Sequence, residues 1–334
     1  MERAFQTLTS ILDRKKKVLI QTHDFPDHDA VGSAYGLCEL LLRMDYSCFI
    51  TYGGPLQSIS LSQMIEKLEI HMTPLEELDN SQEYQTIVVD GSPALGTVKT
   101  LAGKLVGIID HHPVRKKTTA PFVDIRPEVG SCSSIIWTYW NEAGEIPDRT
   151  TSTALLAGIK LDTASLSRRV SKTDLDAHYH LYFTGDSYLA QQFISVSLSI
   201  TQLPDIARAM QFYHRKNTIL FLEVHGDYPN ELLSVLANFL LQLREITFAV
   251  VLEKEGPEYR LSARSREKDI DTGYVICNAL KNMGTGGGHP EMAGGVIRAK
   301  DYPGANKFLK LIAQEVAAYK EGNDNETNSK THTC

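Results

Sequence analysis

The apolar positions of this chain fall into short runs separated by longer amphipathic stretches. Val18-Leu19-Ile20-Gln21-Thr22 is a run of strand length, and residues 46–51, 86–89 and 105–109 repeat it. Between them the apolar spacing turns helical. Phe5, Leu8, Ile11 and Leu12 share a face within residues 1–14, and further helices are predicted over 30–42, 61–68, 131–142 and 151–165. Gly32, Gly36 and Cys38 would let the helix over 30–42 lie close to a sheet. This alternation predicts an α/β fold with a doubly wound, mainly parallel sheet and right-handed crossovers. Residues 173–216 read as helical without strands, with Pro204 near a helix start. A second alternation follows. Strands are predicted over 218–224, 246–252 and 259–264, the last two joined by a hairpin at Glu255-Gly256-Pro257. Helices over 231–241 and 272–281, a strand over 295–299 and a helix over 305–319 complete it. The expected organisation is an N-terminal domain over 1–195, a helical connector over 196–216 and a smaller C-terminal α/β domain over 217–320. The polar, Asn/Thr-rich residues 321–334 are expected to be disordered.

Composition narrows this picture without overturning it. The chain has 334 residues, 42% of them hydrophobic and 22% charged, which is ordinary for a globular protein of two domains. A net charge of -7 argues against gripping long nucleic acid by phosphate neutralisation, but not against a short nucleotide. No apolar run reaches ~18 residues and no signal-peptide core opens the chain, so a cytoplasmic protein with no membrane association is expected. Cys38, Cys48, Cys132, Cys277 and Cys334 form no C-x-x-C pair and read as thiols in a reducing compartment.

The chemistry lies where the strands end. The run over 105–109 stops at Asp110-His111-His112, the first strand at His23 followed by Asp27-His28-Asp29, and the strand over 86–89 at Asp90. Open α/β sheets place their sites outside the carboxyl ends of strands. Asp162 interrupts an apolar helical pattern, where a lone ionised carboxylate would be costly to bury. Asp27, Asp29, Asp90, Asp162, His23 and His111 make four carboxylates and two imidazoles. Brought together without cations they would repel. They are too many for one open catalytic metal and suit two, with a carboxylate bridging. Oxygen and imidazole ligands are compatible with Mn²⁺, Fe or Zn. Such a pair activates water for attack at phosphorus, the chemistry of phosphoester or phosphoanhydride hydrolysis. In the C-terminal half, Gly286-Gly287-Gly288-His289 is either a mere tight turn or a run of amides free to approach a phosphate. Arg264 is either a surface cation or a bidentate phosphate ligand. Metals in one domain and phosphate binders in the other suggest a cleft that closes over substrate. His178 and His180 read as surface residues, Arg168-Arg169 as a solvated loop, and His28 as facing outward.

These residues resemble the DHH phosphoesterase family with its C-terminal DHHA1 domain. The likeness runs over about residues 5–320. It is carried by His23 with Asp27-His28-Asp29-Ala30, by Asp90, by Asp110-His111-His112, by Gly158-Ile159-Lys160-Leu161-Asp162-Thr163 and by Gly286-Gly287-Gly288-His289 with Ala293-Gly294. The resemblance implies that His23, Asp27 and Asp90 hold one Mn²⁺. Asp29, Asp90, His111 and Asp162 would hold a second, with Mg²⁺, Fe²⁺ or Zn²⁺ as alternatives. It makes Asp110 an orienting residue. His112 becomes a contact to substrate phosphate or a proton donor to the leaving oxygen, and Arg264, the glycines 286–288 and His289 become nucleotide-phosphate binders. Similar short two-domain proteins act as nano-RNases, as 3′-phosphoadenosine-5′-phosphate phosphatases or on cyclic di-AMP and its linear product, and dimers are common among them. The expected function is therefore a two-metal phosphodiesterase of short RNA or dinucleotides, working as a homodimer and releasing nucleoside monophosphates. A pyrophosphate or polyphosphate hydrolase and a non-catalytic nucleotide sensor are the alternatives. The chain departs from the family pattern at His28 and at Ala164, where similar proteins often carry glycine.

Overall fold

A short helix, α1 (Ala4–Ile11), buries Phe5 and Leu8 and leads into the first strand, β1 (Lys17–Gln21). The computed structural model describes residues 3–56, 58–79, 82–113, 119–195, 200–225, 230–267 and 269–330. The chain divides into two units, Met1–Ser195 and Val196–Cys334.

In the first unit, β1 is followed by α2 (His28–Arg43), β2 (Cys48–Tyr52), α3 (Ile59–Lys67), β3 (Thr73–Pro74), β4 (Tyr84–Val89), β5 (Lys104–Asp110) and β6 (Phe122–Ile125). Four helices complete it: α4 (Cys132–Ala143), α5 (Arg149–Asp162), α6 (Lys172–Thr184) and α7 (Ser187–Ile194). All strand pairs are parallel, in the order β3-β2-β1-β4-β5-β6. Chain direction across the sheet therefore reverses between β1 and β4. At such a switch point the loops leaving two neighbouring strands part to opposite sides and open a crevice at the strands' carboxyl ends. Val18, Ile20, Ile50, Ile87, Val89 and Ile109 form the floor of the main core with α2 and α4 above it. The β4–β5 crossover is extended chain with one 3-10 turn, Pro93–Leu95, over a small cluster of Val88, Val98 and Ile108.

The second unit contains α8 (Leu203–Ala209), β7 (His214–Lys216), β8 (Ile219–Val224), α9 (Asn230–Leu240), β9 (Phe248–Glu255), β10 (Glu258–Ser265), α10 (Thr272–Leu280), β11 (Gly284–His289), β12 (Met292–Arg298) and α11 (Ala305–Lys330). Its sheet runs β11-β12-β10-β9-β8-β7 and is antiparallel except for β8 with β9. One face packs on α10 and α11 through Val250, Ile276 and Phe308. The other packs on α9 through Val251, Leu233 and Leu236.

Three edge strands were not anticipated: β3, β6 and β7. They are two to four residues long and carry polar residues such as Asp124 and Arg215, so they leave no apolar run to read. Residues 173–216 are thus not free of strands. Gly32 and Gly36 serve a helix crossing rather than the sheet. A Cβ at either would lie 2.6 Å from an atom of α5, the Ala154 carbonyl oxygen or the Leu155 side chain. His28 is buried, not outward, with Nε2 3.3 Å from Ser60 Oγ on α3. The polar tail is helical as far as Lys330, because a helix anchored by its apolar first half gains one backbone bond for each residue it adds. Residues 331–334, including Cys334, lie outside the described residues, as do 196–199 of the expected connector. Cys38, Cys48 and Cys132 are buried and Cys277 is exposed. Among the described residues no helix is long and apolar enough to cross a membrane.

The helix expected to run to residue 165 ends instead at Asp162. Ala164, Ser165 and Leu166 have φ of +47°, +54° and +65°, a left-handed turn built without glycine. Thr163 holds it: its Oγ1 donates to the Ile159 carbonyl and accepts from Leu166 N at 3.0 Å. Each L-residue in this conformation costs about 1 kcal/mol. Ala164→Gly is therefore expected to raise stability by ~0.5–1 kcal/mol in chemical denaturation, and a loss of stability would show that the turn is not left-handed in solution.

Candidate metal centre

The switch-point crevice is lined from three strand ends and one helix end. After β1, the Asp27 carboxylate caps α2, with Oδ1 accepting from the amides of Asp29 at 2.9 Å and Ala30 at 3.0 Å. The cap places Asp29 in the first helical turn, turned toward the start of α4. Its two oxygens accept from Cys132 N at 2.6 Å and Ser133 N at 2.9 Å, so the positive end of α4 faces a buried carboxylate. Gly158 makes this possible: a Cβ there would stand 2.6 Å from Asp29 Oδ1 and 2.3 Å from Ser133 Oγ. With α5 drawn that close, its last residue, Asp162, reaches the same crevice. Asp90, at the exit of β4, has φ +54° and donates its amide to the Ile109 carbonyl at 2.9 Å. This strained conformation turns its carboxylate back over the strand ends.

Three groups of ligand-type atoms meet here, each with all its atoms within 4.8 Å of one another: His23, Asp27 and Asp90; Asp29, His111 and Asp162; Asp90, His111 and His112. Asp90 links them. Its Oδ2 lies 3.7 Å from His23 Nε2, and its Oδ1 lies 3.3 Å from His111 Nε2 and 3.7 Å from His112 Nδ1. His111 Nε2 also lies 3.1 Å from Asp162 Oδ2 and 4.0 Å from Asp29 Oδ2. Asp110 stands behind, accepting from the His112 amide at 3.0 Å and lying 2.8 Å from its Nδ1 through the same oxygen. That contact fixes the imidazole's orientation.

The electrostatics are those of a site built for positive charge. Burial pushes the Asp29 carboxyl well up, and Asp90 and Asp162 add to it. Burial raises Asp162 too, with Asp27 and Asp90 contributing. Burial would also raise Asp90, yet contact with His111 and the charges of His23 and His112 hold it at about 2. His111 is pushed far above the usual imidazole range: Asp162 and Asp90 overcome a burial effect of the opposite sign. His112 is raised as well, against burial, by Asp110 and then Asp90. Asp90 Oδ1 and both ring nitrogens of His111 are nevertheless buried without a hydrogen-bond partner. Buried polar atoms normally find partners, so unpaired carboxylate and imidazole atoms converging on one crevice fit divalent cations, which would displace the imidazole proton.

The other sequence candidates lie in the second unit. Gly286-Gly287-Gly288 is not a turn but part of β11, an edge strand. A glycine-rich run reads as a turn in sequence, yet here each glycine answers to packing on one face and openness on the other. A Cβ at Gly286 would meet Leu280 and Ile276 of α10, whereas one at Gly287 would meet nothing within 4 Å. Ser262, Gly294 and Gly287 stand side by side across β10, β12 and β11. Arg264 shares the face of Ser262, to whose Oγ it donates at 3.1 Å, and also donates to the Ala263 carbonyl at 2.8 Å. The result is a shelf of two glycines and a serine bordered by a guanidinium. The side chain of His289 lies outside the described residues. His178 is half-buried, and His180 is exposed and stacked on Trp137 at 5.4 Å. Reading the sequence missed the amides of Cys132 and Ser133. Their signal was the small, polar run Gly130-Ser131-Cys132-Ser133 at a helix start.

Two family models match the chain. Residues 17–159 match the DHH family N-terminal domain, and residues 216–318 match the DHHA1 domain. An uncharacterized protein of Methanocaldococcus jannaschii is 31% identical over 289 residues, covering 85% of this chain and 59% of that protein. The cyclic-di-AMP phosphodiesterase PdeA of Listeria monocytogenes is 22% identical over 335 residues, covering 95% of this chain and 50% of that protein. The chain thus spans about half the length of the curated relatives it matches. The crystal structure of an exopolyphosphatase-related protein from Bacteroides fragilis superposes with a TM-score of 0.74 at 16% identity, over 96% of this chain and 97% of that one, which shows a shared fold. With both domains matched in order along its length, the chain belongs to the DHH phosphoesterase family and carries that family's DHHA1 domain.

Proposed function

We propose that this chain is a divalent-metal-dependent phosphodiesterase acting on short oligoribonucleotides or on cyclic and linear dinucleotides. The observation that carries the reading is the position of Asp90, whose two oxygens face two separate sets of ligand-type atoms. His23, Asp27 and Asp90 would hold one cation, and Asp29, Asp90, His111 and Asp162 the other, with Mn²⁺ the first choice. Bound there, two cations lower the pKa of a water and neutralise charge on a phosphoryl group. The protein's own residues do the rest. The start of α4 holds Asp29 in place through two amides. Asp110 orients His112, which is part-exposed at the crevice and would donate a proton to the leaving oxygen. Arg264 and the bare strand β11 would bind the nucleotide's phosphate. The substrate class rests on the Listeria relative, which aligns along 95% of this chain.

The substrate reading is tested by initial rates with excess Mn²⁺ on di- to pentaribonucleotides, cyclic di-AMP, its linear product, 3′-phosphoadenosine-5′-phosphate and pyrophosphate. The dinucleotides and short RNAs are expected to be fastest, and a preference for pyrophosphate would move the chain to another substrate class.

Asp90→Ala is expected to cut hydrolysis by roughly three orders of magnitude and lower bound metal from two ions per chain to one or none, with circular dichroism unchanged. Retained turnover with two ions bound would remove Asp90 from the bridge.

His111 sits above the usual imidazole range in the metal-free centre, so near pH 7 it carries a proton that a cation must displace. The raised carboxyl of Asp29 acts in the same direction. Adding Mn²⁺ to metal-free protein at pH 7 in weak buffer is expected to acidify the solution by about one proton or more per chain. Absence of acidification would argue against these ligands.

Arg264→Ala is expected to raise KM by about 10- to 100-fold with a smaller change in kcat. Unchanged KM and kcat would take Arg264 out of the site.

A further inference from the structure

Phe25 stands in the loop between β1 and α2 and is 49% exposed, while Asp24 and Pro26 on either side of it are buried. Single exposed apolar side chains are common. Where this one is held sets it apart. It lies two residues from His23 and two from Asp27, both grouped with Asp90 in the metal centre. Two residues of backbone span at most ~7 Å. The loop is fixed from both sides. Asp24 donates its amide to the Thr97 carbonyl at 2.8 Å, and its two carboxylate oxygens accept from Lys99 N, each at 3.3 Å. From the β2 side, a Cβ on Gly53 would stand 2.7 Å from Asp24 Oδ1. One on Gly54 would stand 2.3 Å from the Asp24 carbonyl oxygen and 3.3 Å from Cε1 of Phe25. The two glycines thus let the chain leaving β2 close on the loop. Lys99 holds its ammonium over the Phe25 ring, 5.8 Å from the centroid, where the negative face of the ring attracts it.

We propose that Phe25 is the platform on which a base of the substrate stacks when its phosphate lies at the metal centre. The inference rests on the nucleotide reading above and adds the residue that meets the base. An exposed ring beside a phosphate site suits a flat ligand, and every base presents a flat face whatever its identity. Reach agrees, since one sugar joins base to phosphate, a span comparable to the ~7 Å of backbone between Phe25 and the ligands on either side. Rigidity agrees too: a loop clamped at Asp24 has little freedom to lose on binding. Lys99 leaves one face of the ring to the ligand and brings a positive charge to the rim of an acidic crevice. Pyrophosphate has no flat face to set against the ring.

The test uses the full chain with Mn²⁺ and two ligands that differ only in the base, adenosine 5′-monophosphate and ribose 5-phosphate. Titration calorimetry is expected to show the base-bearing ligand bound about tenfold more tightly or better. Phe25→Ala should bring the two within about twofold of each other, whereas Phe25→Trp should keep the gap. Phe25→Trp also supplies a direct readout should Phe25→Ala fold poorly. Its added indole emission should be quenched by adenosine 5′-monophosphate and not by ribose 5-phosphate. Equal binding of the two ligands by the wild-type chain overturns the proposal, as does a gap that survives Phe25→Ala or an indole that neither ligand quenches. Binding is read without turnover, so the two readings fail separately. A chain that prefers the base through Phe25 yet hydrolyses no dinucleotide keeps the platform and loses the phosphodiesterase reading. One that hydrolyses dinucleotides while Phe25→Ala leaves the gap intact loses the platform alone.

Discussion

Mutual repulsion among buried carboxylates is the constraint on which the first unit turns. Asp29 and Asp90 are almost wholly removed from solvent beside the same His111 nitrogen, and Asp162 leans onto it as well. A folded chain can tolerate this by protonating some of them, by drawing protons onto neighbouring imidazoles, or by taking up cations. Without cations the first two routes operate together, as the upward shifts of Asp29, Asp162, His111 and His112 show. Neither satisfies the unpaired atoms of Asp90 and His111, whereas divalent cations held among these residues would offset the charge.

The rest of the unit exists to hold that cluster still. The sheet order 3-2-1-4-5-6 opens a crevice between β1 and β4, and the ligand-type residues stand at its rim. Two helices then lock Asp29 from both sides, α4 with its amides and α5 with the absence of a side chain at Gly158. Gly32 and Gly36 extend the same close approach along α2, which fixes where Asp162 ends up.

Most of this was legible in the sequence because the chemistry contradicts the local pattern. A strand run that ends in Asp-His-His, or an aspartate where an apolar residue belongs, has no packing reason to exist. What stayed hidden has a common physical cause: it depends on neighbours distant in sequence. The glycines at 32 and 36 advertise a close approach but not its partner. The run at 286–288 looks like a turn because glycine weakens strands, and only pairing with β12 reveals an edge strand with one open face. His28 reads as an outward residue between two ligands until Ser60 on α3 supplies its contact. Short edge strands such as β3 and β7 are held by their neighbours' registers and not by their own residues.

The backbone at position 90 narrows the choice of residue more tightly than the metals alone would. Its positive φ favours side chains that are short and able to bond locally, a small set headed by asparagine and aspartate once glycine is set aside. Asparagine would keep the conformation and surrender the charge. Glutamate would keep the charge, yet carry it one methylene too far from a corner it does not readily turn. Shape and valence thus select the same amino acid independently, so a site built on another residue here would need a different strand exit as well as different ligands.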